Sequence, residues 1–309
     1  LRHDVAPSSP ADAFLRTPAS STELHVAAYS NLLLHPHPRT SSMSAPTEVV
    51  VRRYKHGQHV LVAELHRPKV KNAFNDLVYQ QLIEAIEEYS ADNSLHALVI
   101  TGHGDFFTSG ADILQGLSAG ENGVPVPPSK SWSKKFMEAM VTCPKIIVAA
   151  VNGRAIGIGV TLLLHCDFVY AVESATFWTP FMRIGIVPEF AASYTFPLVL
   201  GPQLANDMLM RSREIDAKRA LAHGLVGHVL PVENFLQRVV ADLEPMLSVP
   251  MTAKSLPAYK SLIRRNRDPL VREAIHQEYV EIDRRFHAGE TQEAFMQLIA
   301  QLKPKSSKL

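Results

Sequence analysis

The alternation of apolar and polar positions from residue 48 onward predicts strands and helices in turn. Apolar, β-branched runs at 49–51 and 59–65 predict two strands joined by a turn at 55–57. Asn75, a residue type that caps helices, precedes apolar residues at helical spacing. Those residues are Val78, Leu82, Ile86 and Tyr89. A buried strand at 97–101 completes a strand, strand, helix, strand unit.

The same reading continues to the C-terminal part of the chain. The predicted strands lie at 146–151, 168–172 and 227–230. The predicted helices lie at 133–141, from about Gly157, and at 233–247, 251–264, 269–286 and 290–302. A stretch rich in glycine and proline at 117–131 predicts a mobile loop. Strands alternating with helices, then a run of helices, predict an α/β fold with a C-terminal helical portion.

The two ends of the chain differ from this pattern. Residues 1–45 are rich in Ser, Pro, Ala and His without a helical or strand period, which predicts a disordered extension. We expect Met43 to be the initiator. Four segments follow as the predicted organisation. They are the extension at 1–45, a core at 46–232, a helical region at 233–303 and a tail at 304–309.

Composition restricts the classes of function. The chain has 309 residues, 46% hydrophobic and 20% charged, with a net charge of +1. This balance suits a globular core and indicates neither nucleic-acid binding nor an acidic membrane surface. The apolar stretch 146–164 is interrupted by Asn152 and Arg154, so no membrane span is predicted. Cys143 and Cys166 lie in apolar segments and predict buried reduced thiols, and no metal-ligand spacing is present.

Two glycine-containing turns could carry chemistry. Residues 105–113 and 151–160 each place a buried strand before glycines and a predicted helix start. Two backbone N–H groups aimed at one point form an oxyanion hole, which contributes about 2.7–4 kcal/mol per donor to a developing enolate. Neither turn fits a nucleotide-binding fingerprint. For either turn alone, the favoured interpretation is that its glycines only permit the turn. The two turns together indicate a functional site more strongly than either one does.

Glu189 is the only charged residue between Ile184 and Asn206. Its surroundings of proline, small residues and aromatics disfavour full solvation. A carboxylate deprived of water has a raised pKa, which suits proton transfer, whereas a helix dipole behind Pro188 would lower it. From the residues alone, a structural role and a catalytic role stay equally open.

Five segments resemble the crotonase superfamily, the enoyl-CoA hydratase/isomerase family. They are HRPKVKNAFN, FFTSGADI, PKIIVAAVNGRAIGIGVTLLLHCDFVYA, ATFWTPFMRIGIVPEFAASYTFP and LANDMLMRSREIDAKRALAHGLVGHVLP. Their order and spacing match over roughly residues 48–300. The resemblance implies a crotonase-like spiral of ββα repeats, a C-terminal helical trimerisation region and an acyl-CoA thioester substrate.

The resemblance also implies roles for individual residues. The thioester oxygen would be held by the backbone N–H groups of Ala111 and Ile158. Hydratases carry two glutamates, and the matching positions here are Thr161 and Phe181. Glu189 stands where the peroxisomal Δ3,Δ2-enoyl-CoA isomerases have their single catalytic glutamate. The expected activity is therefore isomerisation, while a 2-enoyl-CoA hydratase and a non-catalytic binding or scaffold subunit stay open as alternatives.

The remaining expectations concern substrate binding and partners. The predicted substrate-binding residues are Lys69, Lys71, Asn72, Ala73, Phe74, Ser109, Gly110, Asp112, Ile113, Gly157, Phe181 and Lys260. For each of these lysines a simple solvated side chain stays open. Neither a cofactor beyond the substrate's own coenzyme A nor a metal is expected. The resemblance implies a homotrimer or hexamer. Ser307-Lys308-Leu309 predicts recognition by the peroxisomal import receptor and a location in the peroxisomal matrix.

Overall fold

Two β-sheets form the centre of the described structure. The computed structural model describes residues 48–112 and 127–302, and structural statements refer to those residues. The strands are β1 (Val51–His56), β2 (Val60–Leu65), β3 (Ala97–Gly102), β4 (Phe106–Thr108), β5 (Ile146–Val151), β6 (Arg154–Ile156), β7 (Phe168–Val172), β8 (Thr176–Trp178), β9 (Ile215–Asp216) and β10 (His228–Leu230). One sheet has the order β1-β2-β3-β5-β7-β10 and the other β4-β6-β8-β9.

Parallel pairing dominates both sheets. In the larger sheet only β1 and β2 pair antiparallel, and the strands from β2 to β10 are parallel. In the smaller sheet, β4, β6 and β8 are parallel and β9 is antiparallel to β8. Parallel strands are buried on both faces, which agrees with the nearly continuous apolar sequences of β3 and β5.

A strand of the larger sheet is followed three times by a strand of the smaller one. The pairs are β3 with β4, β5 with β6, and β7 with β8. The turn in the second pair needs Gly153, because a Cβ there would overlap the carbonyl oxygen of Asp105 in the equivalent turn of the first pair. Helical segments follow these pairs, so the sequence folds as a spiral of ββα repeats.

Helices surround the sheets and form the C-terminal region. They are α1 (Asp76–Ala91), α2 (Trp132–Thr142), α3 (Ile158–Thr161), α4 (Ala192–Leu200), α5 (Pro202–Leu209), α6 (Ala217–Ala222), α7 (Phe235–Leu247), α8 (Thr252–Arg264), α9 (Asp268–His287) and α10 (Glu290–Leu302). Asn75 caps α1 as predicted, because its side chain accepts the N–H of Val78 at 2.9 Å. The predicted apolar face of α1 is buried. Cys143 and Cys166 are buried free thiols, as expected.

The described residues up to Gln292 form one unit, and those from Glu293 onward belong to a second. The division at residue 232 stays a prediction, and the extension at 1–45 and the tail at 304–309 lie outside the described residues. Among the described helices, none is long and apolar enough to cross a membrane.

Some predicted elements need correction. The first strand runs from Val51 to His56 rather than over 49–51, and the turn follows at 57–59. Most of β1 is exposed and polar, so its sequence imitates a turn. The strands of the smaller sheet were missed because each has two or three residues, too few to show a period of two. Most of the predicted loop lies outside the described residues, and a 3₁₀ turn at Pro128–Lys130 occupies part of the rest.

Candidate active site

Gly110 and Gly157 bring the two predicted glycine turns together. Their φ angles are 91° and 56°, a region that favours glycine. A Cβ on Gly157 would lie 3.9 Å from Gly110 Cα and 4.0 Å from Phe181 Cε1. A Cβ on Gly110 would approach the carbonyl oxygen of Ile156 to 3.0 Å. The backbones of the two turns are therefore adjacent, and Phe181 lies beside them.

Ala111 and Ile158 each follow one of these glycines. Ala111 forms an isolated parallel bridge with Phe74, and Ile158 is the first residue of α3. Among the described contacts, neither backbone N–H has a hydrogen-bond acceptor. Within the part of the chain that the structure describes, each of these N–H groups is therefore an unpaired donor. The helix start predicted after Ala111 lies outside the described residues.

The segments predicted to bind CoA are joined by backbone hydrogen bonds. Ser109 N–H donates to the Lys71 carbonyl at 2.9 Å, and Phe74 N–H donates to the Gly110 carbonyl at 2.8 Å. Asp112 N–H donates to the Phe74 carbonyl at 2.7 Å. The first glycine turn and the segment 71–74 therefore form one continuous border of the site.

A mostly apolar cavity of about 270 Å³ lies beside Ala111. Its lining includes Tyr79 of α1, Ile186, Val187 and Phe286 of α9. Glu189 follows Val187 by two residues but is not among the described lining residues. Asp76, Asp112 and Arg285 also line it, so the cavity offers both apolar surface and charged groups to a ligand.

Glu189 is held by the helix that begins at Ile158. Its Oε1 accepts a hydrogen bond from the Oγ1 of Thr161, the last residue of α3, at 2.6 Å. The side chain as a whole is half-buried, yet Oε2 is enclosed and has no hydrogen-bond partner within the described part of the chain. An enclosed, unpaired carboxylate oxygen is costly, and such groups concentrate at functional sites.

Burial raises the pKa of Glu189 from 4.5 to about 8. The hydrogen bond from Thr161 lowers this pKa, and the negative charge of Glu278 raises it further. The sequence left the direction of this shift open, and in the folded chain the loss of water outweighs the opposing effects. A carboxyl group whose pKa lies near neutral pH can both take and return a proton.

Lys260 is not a candidate CoA contact in this structure. Its side chain is buried, and its Nζ donates to Asp167 Oδ2 at 2.8 Å and to the Lys145 carbonyl at 2.6 Å. These partners lie at the amino-terminal ends of β7 and β5 in the larger sheet, whereas the glycine turns follow the carboxyl ends of β4 and β6 in the smaller sheet. The ammonium group is therefore part of a buried ion pair and not part of either glycine turn.

The side chain of Asn72 has a structural role rather than the predicted contact with substrate. It is buried, and its Nδ2 donates to the carbonyls of His103 and Phe106 at 2.9 and 2.8 Å. Its Oδ1 accepts the N–H of Arg67 at 3.0 Å. The buried Ala73 lies beside it, and its carbonyl accepts a hydrogen bond from the Arg67 guanidinium.

Two of the predicted lysines remain accessible. Lys69 is exposed, and Lys71 is exposed beside Asp105, with its Nζ 3.6 Å from that carboxylate. Their contact with CoA stays a prediction. Ile113 lies outside the described residues, as does the sequence Ser307-Lys308-Leu309.

Three side chains at the ends of β2 and β3 form a group of possible metal ligands. One ligand atom each of Glu64, His66 and His103 lies within 4.8 Å of the others. His103 Nδ1 lies 3.2 Å from Glu64 Oε1, and Arg52 places a guanidinium nitrogen 3.9 Å from Glu64 Oε2. Because the carboxylate already has two basic neighbours, we assign this group to surface ion pairing.

Sequence reasoning missed two buried groups near Glu189. Tyr79 is buried, and its pKa is raised by burial and by the carboxylate of Glu189. Glu278 of α9 is buried and hydrogen-bonds to the residues that follow Glu189. A signal for Glu278 was present, because this acid occupies the apolar stripe of its helix between Ile275 and Tyr279, as Glu189 does in its own segment.

The two-sheet spiral of ββα repeats defines this molecule as a crotonase-type fold. A family model described as enoyl-CoA hydratase/isomerase matches residues 55–305. The crystal structure of an enoyl-CoA hydratase/isomerase from Pseudoalteromonas atlantica T6c covers 84% of this chain and 100% of its own, with a TM-score of 0.75 and 31% identity. The chain belongs to the enoyl-CoA hydratase/isomerase family.

Three curated relatives are similar over much of the chain. Enoyl-CoA delta isomerase 2 of Homo sapiens is 37% identical over 213 residues, which are 68% of this chain and 52% of that protein. Enoyl-CoA delta isomerase 3, peroxisomal, of Mus musculus is 38% identical over 58% of this chain and 56% of its own length. Chromodomain Y-like protein 2 of Homo sapiens is 32% identical over 70% of this chain and 42% of its own length. The chain spans about half the length of these relatives.

Proposed function

We propose that the chain is a Δ3,Δ2-enoyl-CoA isomerase, which moves the double bond of a 3-enoyl-CoA to the 2-trans position during oxidation of unsaturated fatty acids. The observation that carries this proposal is the enclosed, unpaired Oε2 of Glu189, together with two adjacent turns whose Ala111 and Ile158 N–H groups have no acceptor among the described residues. The positions of the two hydratase glutamates hold Thr161 and Phe181. Similarity to two enoyl-CoA delta isomerases supports the same reaction.

Glu189 is the proton carrier in this proposal. The thioester oxygen accepts hydrogen bonds from the Ala111 and Ile158 N–H groups, which stabilise the enolate. The carboxylate removes one proton from C2, the electron pair shifts the double bond from C3–C4 to C2–C3, and the carboxylic acid returns the proton to C4. One proton leaves and one arrives, so the reaction needs no other reactant. Because Glu189 does not line the cavity in this structure, substrate binding must bring its carboxyl and C2 together.

Apolar side chains exclude water from the reacting carbons. Phe181 and Phe190 are buried, and Ile186 is half-buried and lines the cavity. A water molecule bound next to C3 would permit hydration of the 2-enoyl product. The apolar wall and the threonine at position 161 therefore favour isomerisation over water addition.

The direct test is an assay of purified protein with a series of 3-enoyl-CoA esters of increasing chain length. The expected result is formation of the conjugated 2-enoyl thioester, followed by its ultraviolet absorbance. A parallel incubation with 2-enoyl-CoA is expected to give little 3-hydroxyacyl-CoA. Efficient hydration would favour a hydratase, and binding of acyl-CoA without either reaction would favour a scaffold subunit.

Thr161→Val is expected to move the pH dependence of isomerisation to higher pH. The hydrogen bond from Thr161 lowers the pKa of Glu189, so its loss raises that pKa and leaves less of the basic carboxylate at a given pH. The measurement is kcat/KM between pH 6 and 10. Thr142→Val, at an exposed threonine of α2, is the control with an unchanged profile. A Thr161→Val profile that coincides with the wild type would contradict the assigned base.

We also propose that the chain forms a homotrimer or hexamer. Tyr259, Leu262 and Ile263 on α8 are 62%, 66% and 79% exposed, and exposed apolar clusters of this kind mark association surfaces. Sedimentation equilibrium that yields only a monomer would reject this.

Location in the peroxisome is proposed from the name of the mouse relative. Diffuse cytosolic fluorescence of a tagged protein would reject it.

A further inference from the structure

The segment immediately after Glu189 has an unusual backbone. Phe190 and Ala191 both have φ of 57°, in the left-handed region that non-glycine residues rarely adopt. This conformation is strained in a residue with a Cβ and persists only where the surroundings hold it. Ala191 is also the N-cap of α4, yet alanine has no side chain that can cap a helix. Other groups must therefore fix this turn.

Glu278 supplies the missing cap from another helix. Its Oε2 accepts the N–H of Ala191 at 2.7 Å, and its Oε1 accepts the N–H and the Oγ–H of Ser193 at 2.9 and 2.6 Å. Glu278 is 6% exposed. Since all three partners donate, the geometry fits an ionised carboxylate, and its negative charge also lies at the positive end of the α4 dipole.

His165 holds the same turn from the other side. Its Nε2–H donates to the Phe190 carbonyl at 2.7 Å, and its ring stacks on Phe190 with 4.1 Å between centroids. Burial lowers the pKa of His165 to about 3, so the ring is neutral at physiological pH. Of these two groups, Glu278 is therefore the one that brings a charge to the turn.

We propose that Glu278 is a positioning residue for the isomerisation: its carboxylate caps α4 and holds Phe190 and Ala191 in the left-handed conformation that places Glu189. This rests on the function proposed above. Glu278 contacts the segment that carries Glu189 and does not need to touch substrate. Nothing in the apolar sequence around Glu189 supplies this capping group, so the site is incomplete without α9.

The charge of Glu278 has a second consequence for Glu189. The titratable or polar groups described around Glu189 are Thr161 of α3, Tyr79 of α1, and Glu278 and Tyr279 of α9. Among these, Glu278 is the acid that raises the pKa of Glu189. Replacing it with a neutral group lowers that pKa, so the basic carboxylate forms at lower pH. This shift is opposite in sign to the one expected for Thr161→Val.

The test compares Glu278→Gln with Glu273→Gln, an exposed glutamate of the same helix. Glutamine keeps the size of Glu278 but places an amide N–H₂ where one backbone donor needs an acceptor. We expect kcat for 3-enoyl-CoA to fall roughly 10- to 100-fold with little change in KM, because small displacements of a reacting group have effects of this size. The kcat/KM profile is expected to move to lower pH. Glu273→Gln is expected to match the wild type in both.

Amide hydrogen exchange separates this proposal from the proposed function. Exchange at Ala191 and Ser193 is expected to accelerate in Glu278→Gln, and Ser193→Ala, which retains both backbone donors, is expected to lose less activity. An active wild type whose Glu278→Gln variant keeps the same kcat, pH profile and exchange rates would overturn the positioning role alone. A wild type without isomerase activity would overturn the proposed function and the catalytic part of this proposal, whatever the exchange rates show.

Discussion

Glu189→Gln is expected to reduce kcat for conversion of 3-enoyl-CoA to 2-enoyl-CoA by about 10²- to 10⁴-fold, the range that general acid–base catalysis contributes. Glutamine keeps the size of the side chain and can accept the hydrogen bond from Thr161 Oγ1. It cannot take a proton from C2. The measurement is single-turnover absorbance with the enzyme in excess over substrate and at a saturating concentration, so that the loss refers to chemistry rather than to binding.

Binding provides the control for this variant. Calorimetric titration with a saturated acyl-CoA is expected to give similar affinities for the Gln variant and the wild type, because the Ala111 and Ile158 N–H groups are unchanged. Turnover close to that of the wild type would remove Glu189 from the reaction. A comparable loss of affinity would indicate a disturbed pocket instead.

The same variant has a stability consequence with a definite sign. Because the pKa of Glu189 is about 8 in the folded chain and 4.5 when unperturbed, the native state binds more protons than the unfolded state between these values. The contribution of Glu189 to stability is therefore complete below pH 4.5 and is lost as the pH rises through 8. Glutamine does not titrate. The Tm of Glu189→Gln relative to that of the wild type is therefore expected to rise between pH 5 and pH 9.

The larger elements of the fold could be predicted because their signals are local. The helix behind Asn75 and the buried strands at 97–102 and 146–151 agree with their apolar patterns. The smaller sheet could not be found in this way, because strands of two or three residues gain their pairing from the spiral rather than from their own sequence. The first strand was predicted too early in the sequence, because the exposed edge strand β1 carries polar residues that resemble a turn.

Those residues of the candidate site that differ in type from their sequence neighbours could be predicted from the sequence. Glu189 stood out as one acid in an apolar segment, and its pKa depends on burial that only the fold determines. Glu278 stands out in the same way within the apolar stripe of α9, but it lies 89 positions later and only the fold brings it to the backbone N–H of Ala191. Lys260 was misassigned because an exposed lysine and a buried one look alike until the partner carboxylate is known.

Asp167, the partner of Lys260, is the residue whose substitution is expected to have the largest effect on stability. Asp167 Oδ2 accepts from Lys260 Nζ and from the Ile147 N–H at 2.8 Å, and Asp167 Oδ1 lies 2.6 Å from Arg264 Nη2. The three side chains are 11%, 5% and 7% exposed, in the order Asp167, Lys260, Arg264. One carboxylate therefore compensates two buried cations and also holds the start of β5.

Asp167→Asn is expected to destabilise the chain by about 3–5 kcal/mol, because removing one partner leaves buried charge uncompensated. The measurement is the midpoint of urea unfolding with an unchanged m-value. Glu138→Gln, which removes an exposed i,i+4 pair with Lys134, is the matched control, with an expected change of about 0.5 kcal/mol or less. Adding Lys260→Met to Asp167→Asn removes one of the two buried cations that have lost their carboxylate partner. The double variant is therefore expected to be more stable than Asp167→Asn alone. Lys260→Met is expected to leave KM for acyl-CoA unchanged. A raised KM in Lys260→Met, together with an Asp167→Asn variant as stable as the wild type, would contradict the buried ion pair. Lys260 would then be assigned to the substrate site again.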